Sequence, residues 1–271
     1  MRFAGRTHPG RRGGENEDSI GWDEESRLWF VADGMGGHAA GDVASRIVKQ
    51  TLLATAATSQ LERAVTQAHE SVVSAAAENP ENTNMGSTVV ATRIAGHQAE
   101  VVWVGDSRAY MWRGAELSQL TRDHSFLEVL REQEQLSESQ MRGHPNKNIV
   151  TQTLGLGTPQ PSVNRVPLRT GDWLLLCSDG LNDELEDREI AEILQANESP
   201  EAAADALIAA ALAKGGHDNV SAVVVEYDGP NGVSSLTQFA RKAARWWPII
   251  GGIVAALLAA IVWWWLYGRN E

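Results

Sequence analysis

The chain has 271 residues, enough to bury one large hydrophobic core, and it carries a formal net charge of -12. This charge argues against a sequence-independent grip on DNA or RNA, so we expect no nucleic-acid partner. The single cysteine, Cys177, can form no intrachain disulfide, and its apolar neighbours indicate a small buried hydrophobe in a reducing compartment.

The N-terminal stretch and the apolar runs that follow it come first in chain order. Met1 to Glu17 is rich in Arg and Gly and lacks the apolar core of a secretory signal. Short apolar runs then predict strands, and acidic residues stand at their ends. Residues 28–32 lead to Asp33, 100–104 to Asp106 and 173–177 to Asp179, while 220–225 begin just after Asp218. Residues 108–112 predict a partner strand for 100–104.

Helical spacing of apolar residues predicts three helices that cover sheet faces, at 44–55, 61–77 and 201–213. The third has Ser199 as a candidate N-cap, Pro200 at its first position and glycines at its end. Residues 126–147 are polar and predict a surface excursion before the strand-like residues 148–150.

The C-terminal part predicts a membrane anchor. Residues 1–228 are assigned to a catalytic domain, 229–245 to a linker with a basic juxtamembrane segment, and 268–271 to a short tail. Residues 246–267 contain no charge, and at about 1.5 Å per residue they reach roughly 33 Å, enough to cross a hydrocarbon core of about 30 Å. Arg241, Lys242 and Arg245 precede this span, so we expect a single-pass protein of the inner membrane with its large part in the cytoplasm.

The four strand-end carboxylates, Asp33, Asp106, Asp179 and Asp218, carry the chemistry. Any one of them alone is more often a turn former or a helix cap than a metal ligand. Together they are hard oxygen donors, which favours Mg²⁺ or Mn²⁺ over zinc. Two such ions can activate a bridging water for attack on phosphorus, so no covalent intermediate on Cys177 is required.

Six motifs occur in an order that resembles the bacterial branch of the protein phosphatase 2C family, across roughly residues 5–227. They are Asn16-Glu17-Asp18-Ser19, Asp33-Gly34-Met35-Gly36-Gly37-His38, Gly86-Ser87-Thr88, Val104-Gly105-Asp106-Ser107-Arg108, Ser178-Asp179-Gly180-Leu181 and His217-Asp218-Asn219. The resemblance implies an α+β fold, an αββα sandwich of two antiparallel sheets flanked by helices, with two Mn²⁺ or Mg²⁺ ions at one end.

The resemblance also implies a role for each matching residue. Asp33 would bridge two metals and Gly34 would offer its backbone carbonyl, while Asp179 and Asp218 would hold the first metal. Asp18 and Glu17 would form an acidic pair. Asp106 would be a ligand of a third metal, and Asn219 would be a supporting residue outside the ligand set. Residues 126–151 correspond to the variable flap beside the cleft, which we expect to shape substrate choice.

Two positions depart from the family pattern. The family's phosphate-binding Arg falls here on Gly13, so Arg12 serves only if the loop bends at Gly13 and Gly14; otherwise Arg11 and Arg12 are solvated charges. Eukaryotic members place a general-acid His directly after Asp-Gly, where this chain has Met35. His38 is a candidate acid, and a solvated loop histidine is an equal alternative.

The leading hypothesis is metal-dependent hydrolysis of phosphoserine and phosphothreonine in proteins, opposing a Ser/Thr kinase at the same membrane. A catalytically weak phosphoprotein-binding scaffold and a membrane-proximal small-molecule phosphatase are the alternatives. The expected partners are therefore phosphoprotein substrates, a Ser/Thr protein kinase and a membrane.

Overall fold

The computed structural model describes residues 1–36, 40–133, 144–146 and 149–229. The strands are β1 Arg2–His8, β2 Asp18–Asp23, β3 Leu28–Met35, β4 Gly86–Ser87, β5 Val89–Ala95, β6 Gln98–Val104, β7 Arg108–Arg113, β8 Glu116–Gln119, β9 Ser162–Pro167, β10 Trp173–Cys177 and β11 Val220–Glu226. The helices are α1 Ala40–Thr55, α2 Leu61–Glu78, α3 Phe126–Glu132, α4 Asp179–Asn182, α5 Asp187–Ala196 and α6 Pro200–Lys214.

The strands form two antiparallel sheets. One has the order β1-β11-β10-β7-β8, and the other has the order β2-β3-β5-β6-β9 with the short β4 beside β3. The strands next to each other in these sheets run antiparallel. The predicted sandwich of two antiparallel sheets is therefore confirmed.

The period-two alternation of side chains builds the layers, and β10 shows how. Leu174 and Leu176 point into the core between the two sheets. Trp173, Leu175 and Cys177 point the other way, into a second core under α5 and α6. A third core lies between the six-stranded sheet and helices α1 and α2. Because β10 is buried on both faces, its sequence is continuously apolar.

The predicted helices are present with small shifts at their ends. The 201–213 prediction is α6, whose first turn is capped as expected because the Ser199 side chain accepts from the Ala202 amide at 3.2 Å. Pro200 opens this helix, and the Gly215 amide closes it by donating to the Ala211 carbonyl. The 44–55 prediction begins four residues late, since α1 starts at Ala40.

Three strand predictions were wrong in part. The strand at 108–112 was expected to pair with 100–104, but β7 lies in the other sheet between β10 and β8. The connection turns at Gly105, whose φ of 105° sends the chain across the sandwich. The strand through 28–32 does not stop at Asp33, because β3 continues to Met35 by pairing with β4. In the predicted strand 148–150, the described residues form only an isolated bridge between Val150 and Ser125.

The C-terminal predictions lie outside the described residues. Met1–Pro230 forms one compact unit, which contains the predicted catalytic domain 1–228. The remaining linker, the predicted span at 246–267 and the tail at 268–271 are not among the residues described. Within the ranges that are described, every helix is too short or too polar to cross a bilayer.

Candidate active site

Two adjacent strands of the six-stranded sheet deliver the first two carboxylates. Asp18 is the first residue of β2 and lies directly opposite Asp33 of β3 in the antiparallel register. Asp18 is 7% exposed, so its carboxylate is shielded from water. Two like charges directly across a strand pair repel, which indicates that something outside this pair stabilises them.

The other sheet delivers Asp179 and Asp218 to the same region. Antiparallel pairing puts the end of β10 beside the start of β11, so Asp179, just after β10, meets Asp218, just before β11. The two turns approach so closely that a Cβ on Gly180 would lie 2.1 Å from the Asn219 carbonyl oxygen. Glycine is required at this contact, which accounts for Asp-Gly in the motif.

Asp106 extends the cluster, and Asp183 joins it although the sequence analysis missed Asp183. Asp106 follows β6 and is 8% exposed. Asp183 follows Asp179 by one helical turn, and its charge raises the pKa of both Asp106 and Asp179. The i, i+4 spacing of Asp179 and Asp183 on a short helix was the available signal.

Burial and mutual repulsion raise the pKa values of these carboxyl groups. Burial, followed by the charge of Asp18, holds the pKa of Asp33 well above its usual range. Burial, followed by the charge of Asp106, does the same for the pKa of Asp179. Burial raises the pKa of Asp18 and of Asp106 to about 6 each. Carboxylates that repel in this way are stabilised in the ionised form by a bound cation.

The donor set fits hard divalent cations. Oδ1 of Asp18 is buried and has no hydrogen-bond partner among the described residues. Asp18, Asp33, Asp106 and Asp179 make no ion pair with any described basic side chain. Across the described ranges, no three acidic, imidazole or thiol side chains close into a coordination shell. Their ligand roles therefore stay predictions.

Glu17 and Gly34 lie together beside Gly41 in the first turn of α1, and their ligand roles stay predictions. Burial, followed by the charge of Asp218, raises the pKa of Glu17, and a hydrogen bond from the Gly41 backbone opposes that shift. A Cβ added to Gly34 would lie 2.0 Å from the Gly41 carbonyl oxygen, so glycine is needed for the chain to pass here.

Asn219 fastens the N-terminal loop to the Asp218 turn. Its side-chain oxygen accepts from the Glu17 amide at 2.7 Å, and its side-chain nitrogen donates to the Pro9 carbonyl at 3.2 Å. Its backbone N–H donates to Asp218 Oδ1 at 2.7 Å. Asn219 therefore supports Asp218 through its backbone, while its side chain positions Glu17.

The structure separates Arg12 from Arg11. Arg12 lines a cavity of about 510 Å³ together with Glu17 and Asp218. The Arg11 amide instead donates to the Gly216 carbonyl at 2.7 Å. Gly13 and Gly14 both have positive φ, 77° and 129°, so the loop departs from an extended path at the two residues where Arg12 needs a bend. Of the two arginines, Arg12 is the one that lines the cavity beside Glu17 and Asp218, and its phosphate-binding role stays a prediction.

The expected general acid and the cysteine have different outcomes. His38 is not among the described residues, so its role stays a prediction. Cys177 is buried as expected, and burial raises the pKa of its thiol to about 12. A thiol that stays protonated is a poor nucleophile, which agrees with a mechanism that does not use it.

A larger cavity of about 890 Å³ opens from the carboxylate cluster. Asp106 and Asp179 lie at its border with the cluster. One wall comes from α3 and the other from the chain between α4 and α5. The basic residues that line it are each bound to a carboxylate: Arg108 to Asp123, Arg122 and Arg131 to Glu128, Arg188 to Glu192 and Lys214 to Glu189.

The comparisons with known proteins identify the family of the chain. The family model described as protein phosphatase 2C matches residues 4–215. The serine/threonine protein phosphatase PstP of Mycobacterium tuberculosis is 36% identical over 84% of the chain, and the chain spans 46% of that relative's length. The serine/threonine phosphatase stp of Listeria monocytogenes is 36% identical over 88% of the chain and 98% of its own length.

A solved structure is also similar. It is the catalytic domain of serine threonine protein phosphatase PstP in complex with two manganese ions. Its TM-score is 0.76 at 34% identity, covering 83% of this chain and 97% of that one.

Proposed function

Because the chain belongs to the protein phosphatase 2C family, we propose that it hydrolyses phosphoserine and phosphothreonine in proteins with two Mn²⁺ or Mg²⁺ ions. The observation that carries this proposal is the meeting of Asp18, Asp33 and Asp179 in one place, without an ion pair to a described basic side chain. The proposal is also supported by the similarity to a phosphatase whose structure holds two manganese ions.

In this proposal the residues of the cleft have separate roles in binding metal, binding phosphate and protonating the leaving group. The ions, when bound, lower the pKa of a water and offset the charge of the phosphoryl oxygens. Asp33, Asp179 and Asp218 hold these ions, with the Gly34 carbonyl and the acidic pair Glu17 and Asp18 completing the oxygen donors. Asp106 would hold a third ion.

Arg12 binds and orients the phosphate with its guanidinium, because Arg matches phosphate geometry through paired N–H donors. Its place beside Glu17 and Asp218 supports this role. His38 is proposed to protonate the leaving serine or threonine oxygen, on the basis of its position in the sequence motif.

The 890 Å³ cavity favours a protein substrate over a small phosphate ester. It borders Asp106 and Asp179, so a phosphorylated residue bound at the cluster would extend its neighbours into it. A sugar or nucleotide phosphate has no need of a second space of this size. Parallel assays on a phosphothreonine peptide and on sugar phosphates separate these two functions, with kcat/KM expected to be higher for the peptide.

The test of the activity itself is Mn²⁺-dependent release of phosphate from a phosphothreonine peptide by the purified chain. We expect turnover with Mn²⁺ and none with a chelator, and Asp33→Asn should abolish it. A chain that binds the peptide tightly but does not turn it over would support the phosphoprotein-binding scaffold instead.

We further propose that the enzyme is anchored in the inner membrane by residues 246–267 and opposes a Ser/Thr kinase there. Support comes from the uncharged run and the basic residues before it in the sequence. Resistance of the full chain to alkaline-carbonate extraction, lost on truncation after residue 240, is the expected result. Extraction of the full chain into the soluble fraction would contradict it.

A further inference from the structure

The buried Asp18 carboxylate is held on one of its two oxygens only. Oδ2 accepts from the Ser178 hydroxyl at 2.7 Å and from the Ser221 hydroxyl at 2.6 Å. Oδ1 is equally buried but has no hydrogen-bond partner among the described residues. A buried carboxylate oxygen without a partner is costly, and native structures rarely keep one without a function.

The two serines come from the opposite sheet. Asp18 lies on β2 of the six-stranded sheet, whereas Ser178 follows β10 and Ser221 lies on β11 of the five-stranded sheet. Ser178 directly precedes Asp179, and Ser221 follows Asp218 by three residues. The two hydroxyls therefore fasten Asp18 across the sandwich to the same turns that carry Asp179 and Asp218.

The hydrogen bonds around Ser221 run in one direction, from Asn16 through Thr7 to Asp18. Ser221 Oγ lies 2.8 Å from Thr7 Oγ1, and Asn16 Nδ2 donates to Thr7 Oγ1 at 2.8 Å. A hydroxyl has one proton, and Ser221 gives it to the Asp18 carboxylate because a charged oxygen is the stronger acceptor. Thr7 then donates to Ser221, so Asn16, Thr7 and Ser221 form one oriented sequence of hydrogen bonds that ends on Oδ2.

Ser178 is fixed in the same way. Its Oγ accepts from the Ser221 amide at 3.0 Å, which leaves its single proton for Asp18. Its side chain makes no cap hydrogen bond to α4. Ser178 and Ser221 are both fully buried, so water does not compete with these bonds.

We infer that Ser178 and Ser221 are positioning residues that hold Asp18 through Oδ2 and thereby aim Oδ1 at a divalent cation between the two sheets. This inference rests on the metal site of the proposed function. It assigns the two serines to metal affinity, in a role that phosphate binding does not need. Outer partners that orient metal ligands in this way typically change affinity by about 10–100-fold when removed.

The test is calorimetric titration of Mn²⁺ into the metal-free full chain and into Ser221→Ala. Ser221→Ala is the cleaner variant, because Thr7 is exposed and water replaces its lost acceptor. We expect the Mn²⁺ dissociation constant to rise by about 10–100-fold. Ser221→Thr, which restores the hydroxyl, should bind Mn²⁺ within about twofold of wild type.

Thr92→Val is the matched control, because Thr92 is also a fully buried hydroxyl, but its Oγ1 donates to the Glu100 carbonyl at 3.2 Å and not to a carboxylate. It should leave Mn²⁺ affinity unchanged even if it lowers the melting temperature in chelator. Ser178→Ala provides the second variant should Ser221→Ala fail to fold.

A double-mutant cycle with Asp18→Asn distinguishes positioning from general stability. Once Oδ1 has lost its charge, Ser221→Ala should lower the remaining Mn²⁺ affinity by less than about twofold. An equal loss in both backgrounds would overturn the inference, as would Mn²⁺ binding by Ser221→Ala that matches wild type while the peptide is still hydrolysed. Wild type that takes up no Mn²⁺ would overturn the proposed function and this inference together.

Discussion

The two ends of strands β10 and β11 carry carboxylates of opposite character. At one end, Asp172 is 2% exposed and binds Arg113 through two hydrogen bonds of 2.9 and 2.6 Å. Glu226, equally buried, binds Arg2 Nε at 2.8 Å. At the other end, Asp179 and Asp218 meet further carboxylates and have no ion pair with a described residue. A buried acid lies near both ends, Asp172 and Glu226 at one and Asp18 at the other, so burial alone does not identify the site. The site is identified by carboxylates that lie together and have no ion pair with a described basic side chain.

The difference follows from what each end stabilises. At the paired end, each buried carboxylate has a partly exposed arginine as its partner, and these pairs stabilise the fold. The cluster at the other end lowers the stability of the metal-free chain through mutual repulsion, and the function proposed above gives it a catalytic role. Substitutions at the two ends should therefore have opposite effects.

The largest effect is expected for Asp179→Asn at the unpaired end. Loss of several kcal/mol of metal-based transition-state stabilisation corresponds to a fall in kcat/KM of at least about 10³-fold on a phosphothreonine peptide. In chelator the same variant should be more stable than wild type, because one repelling charge is gone. Steady-state kinetics measure kcat/KM, and urea unfolding in chelator measures the stability. A variant that is less stable than wild type and fully active would contradict the proposed difference between the two ends.

The matched change at the paired end is Asp172→Asn. Its expected cost is about 2 kcal/mol in the free energy of unfolding, the range of a charge-assisted hydrogen bond, because the partly exposed Arg113 loses its carboxylate partner. The folded fraction should keep kcat/KM within about twofold of wild type, since the substitution leaves the far end of β10 intact. Urea unfolding in chelator and assays well below the midpoint check both parts. A large loss of kcat/KM in folded protein would contradict the division between the ends.

The next prediction concerns the two arginines near the site. Arg12→Ala should raise KM for a phosphothreonine peptide by about 10–100-fold, the range of a charge-assisted hydrogen bond. Arg11→Ala is the control and should change KM by less than about twofold, because the Arg11 backbone rather than a cleft contact fixes its place. Equal effects of the two substitutions would remove the distinction between these arginines.

How much of this could be predicted from the sequence differs between the two ends. The acids at the site end stand in recognisable motifs, so Asp33, Asp106, Asp179 and Asp218 were found together. Apolar periodicity predicted the strands β3, β6, β7, β10 and β11 and the three longest helices, whereas the shorter or more polar elements such as β1, β2 and β9 gave no such signal. The crossing of β7 into the other sheet did not, because the strand has the same local pattern in either sheet and only the turn at Gly105 decides.

The supporting residues were harder to predict for a similar reason. Ser178 and Ser221 look like ordinary small residues in or beside apolar strands, and only the packing of one sheet on the other brings them to Asp18. The pairing of Asp172 with Arg113 spans 59 positions in the chain and leaves no periodic signal. Contacts between distant strands depend on topology, which short-range patterns do not encode.

The smallest effect is a pH dependence of the metal-free chain. Burial raises the pKa of Asp18 to about 6, above its value of 3.8 in an unfolded chain. The folded state then binds the proton more tightly, so stability is gained as pH falls through 6 and is lost as pH rises through it. Between pH 7 and pH 5 this contributes on the order of 1 kcal/mol.

Histidines oppose this trend and require a control. Burial lowers the pKa of His69 and of His124, so protonation of these groups reduces stability as pH falls below about 6.5. The difference between wild type and Asp18→Asn, followed by urea unfolding in chelator, isolates the Asp18 contribution. Identical pH profiles of the two proteins would contradict it.

In the proposed function, carboxylates from two sheets meet around two divalent ions. The most direct measurement is the anomalous diffraction of crystals grown with Mn²⁺. We expect two manganese peaks in the cleft, with Asp33 in contact with both and with Asp179 and Asp218 on one. A cleft without manganese, or peaks bound away from these side chains, would contradict the account.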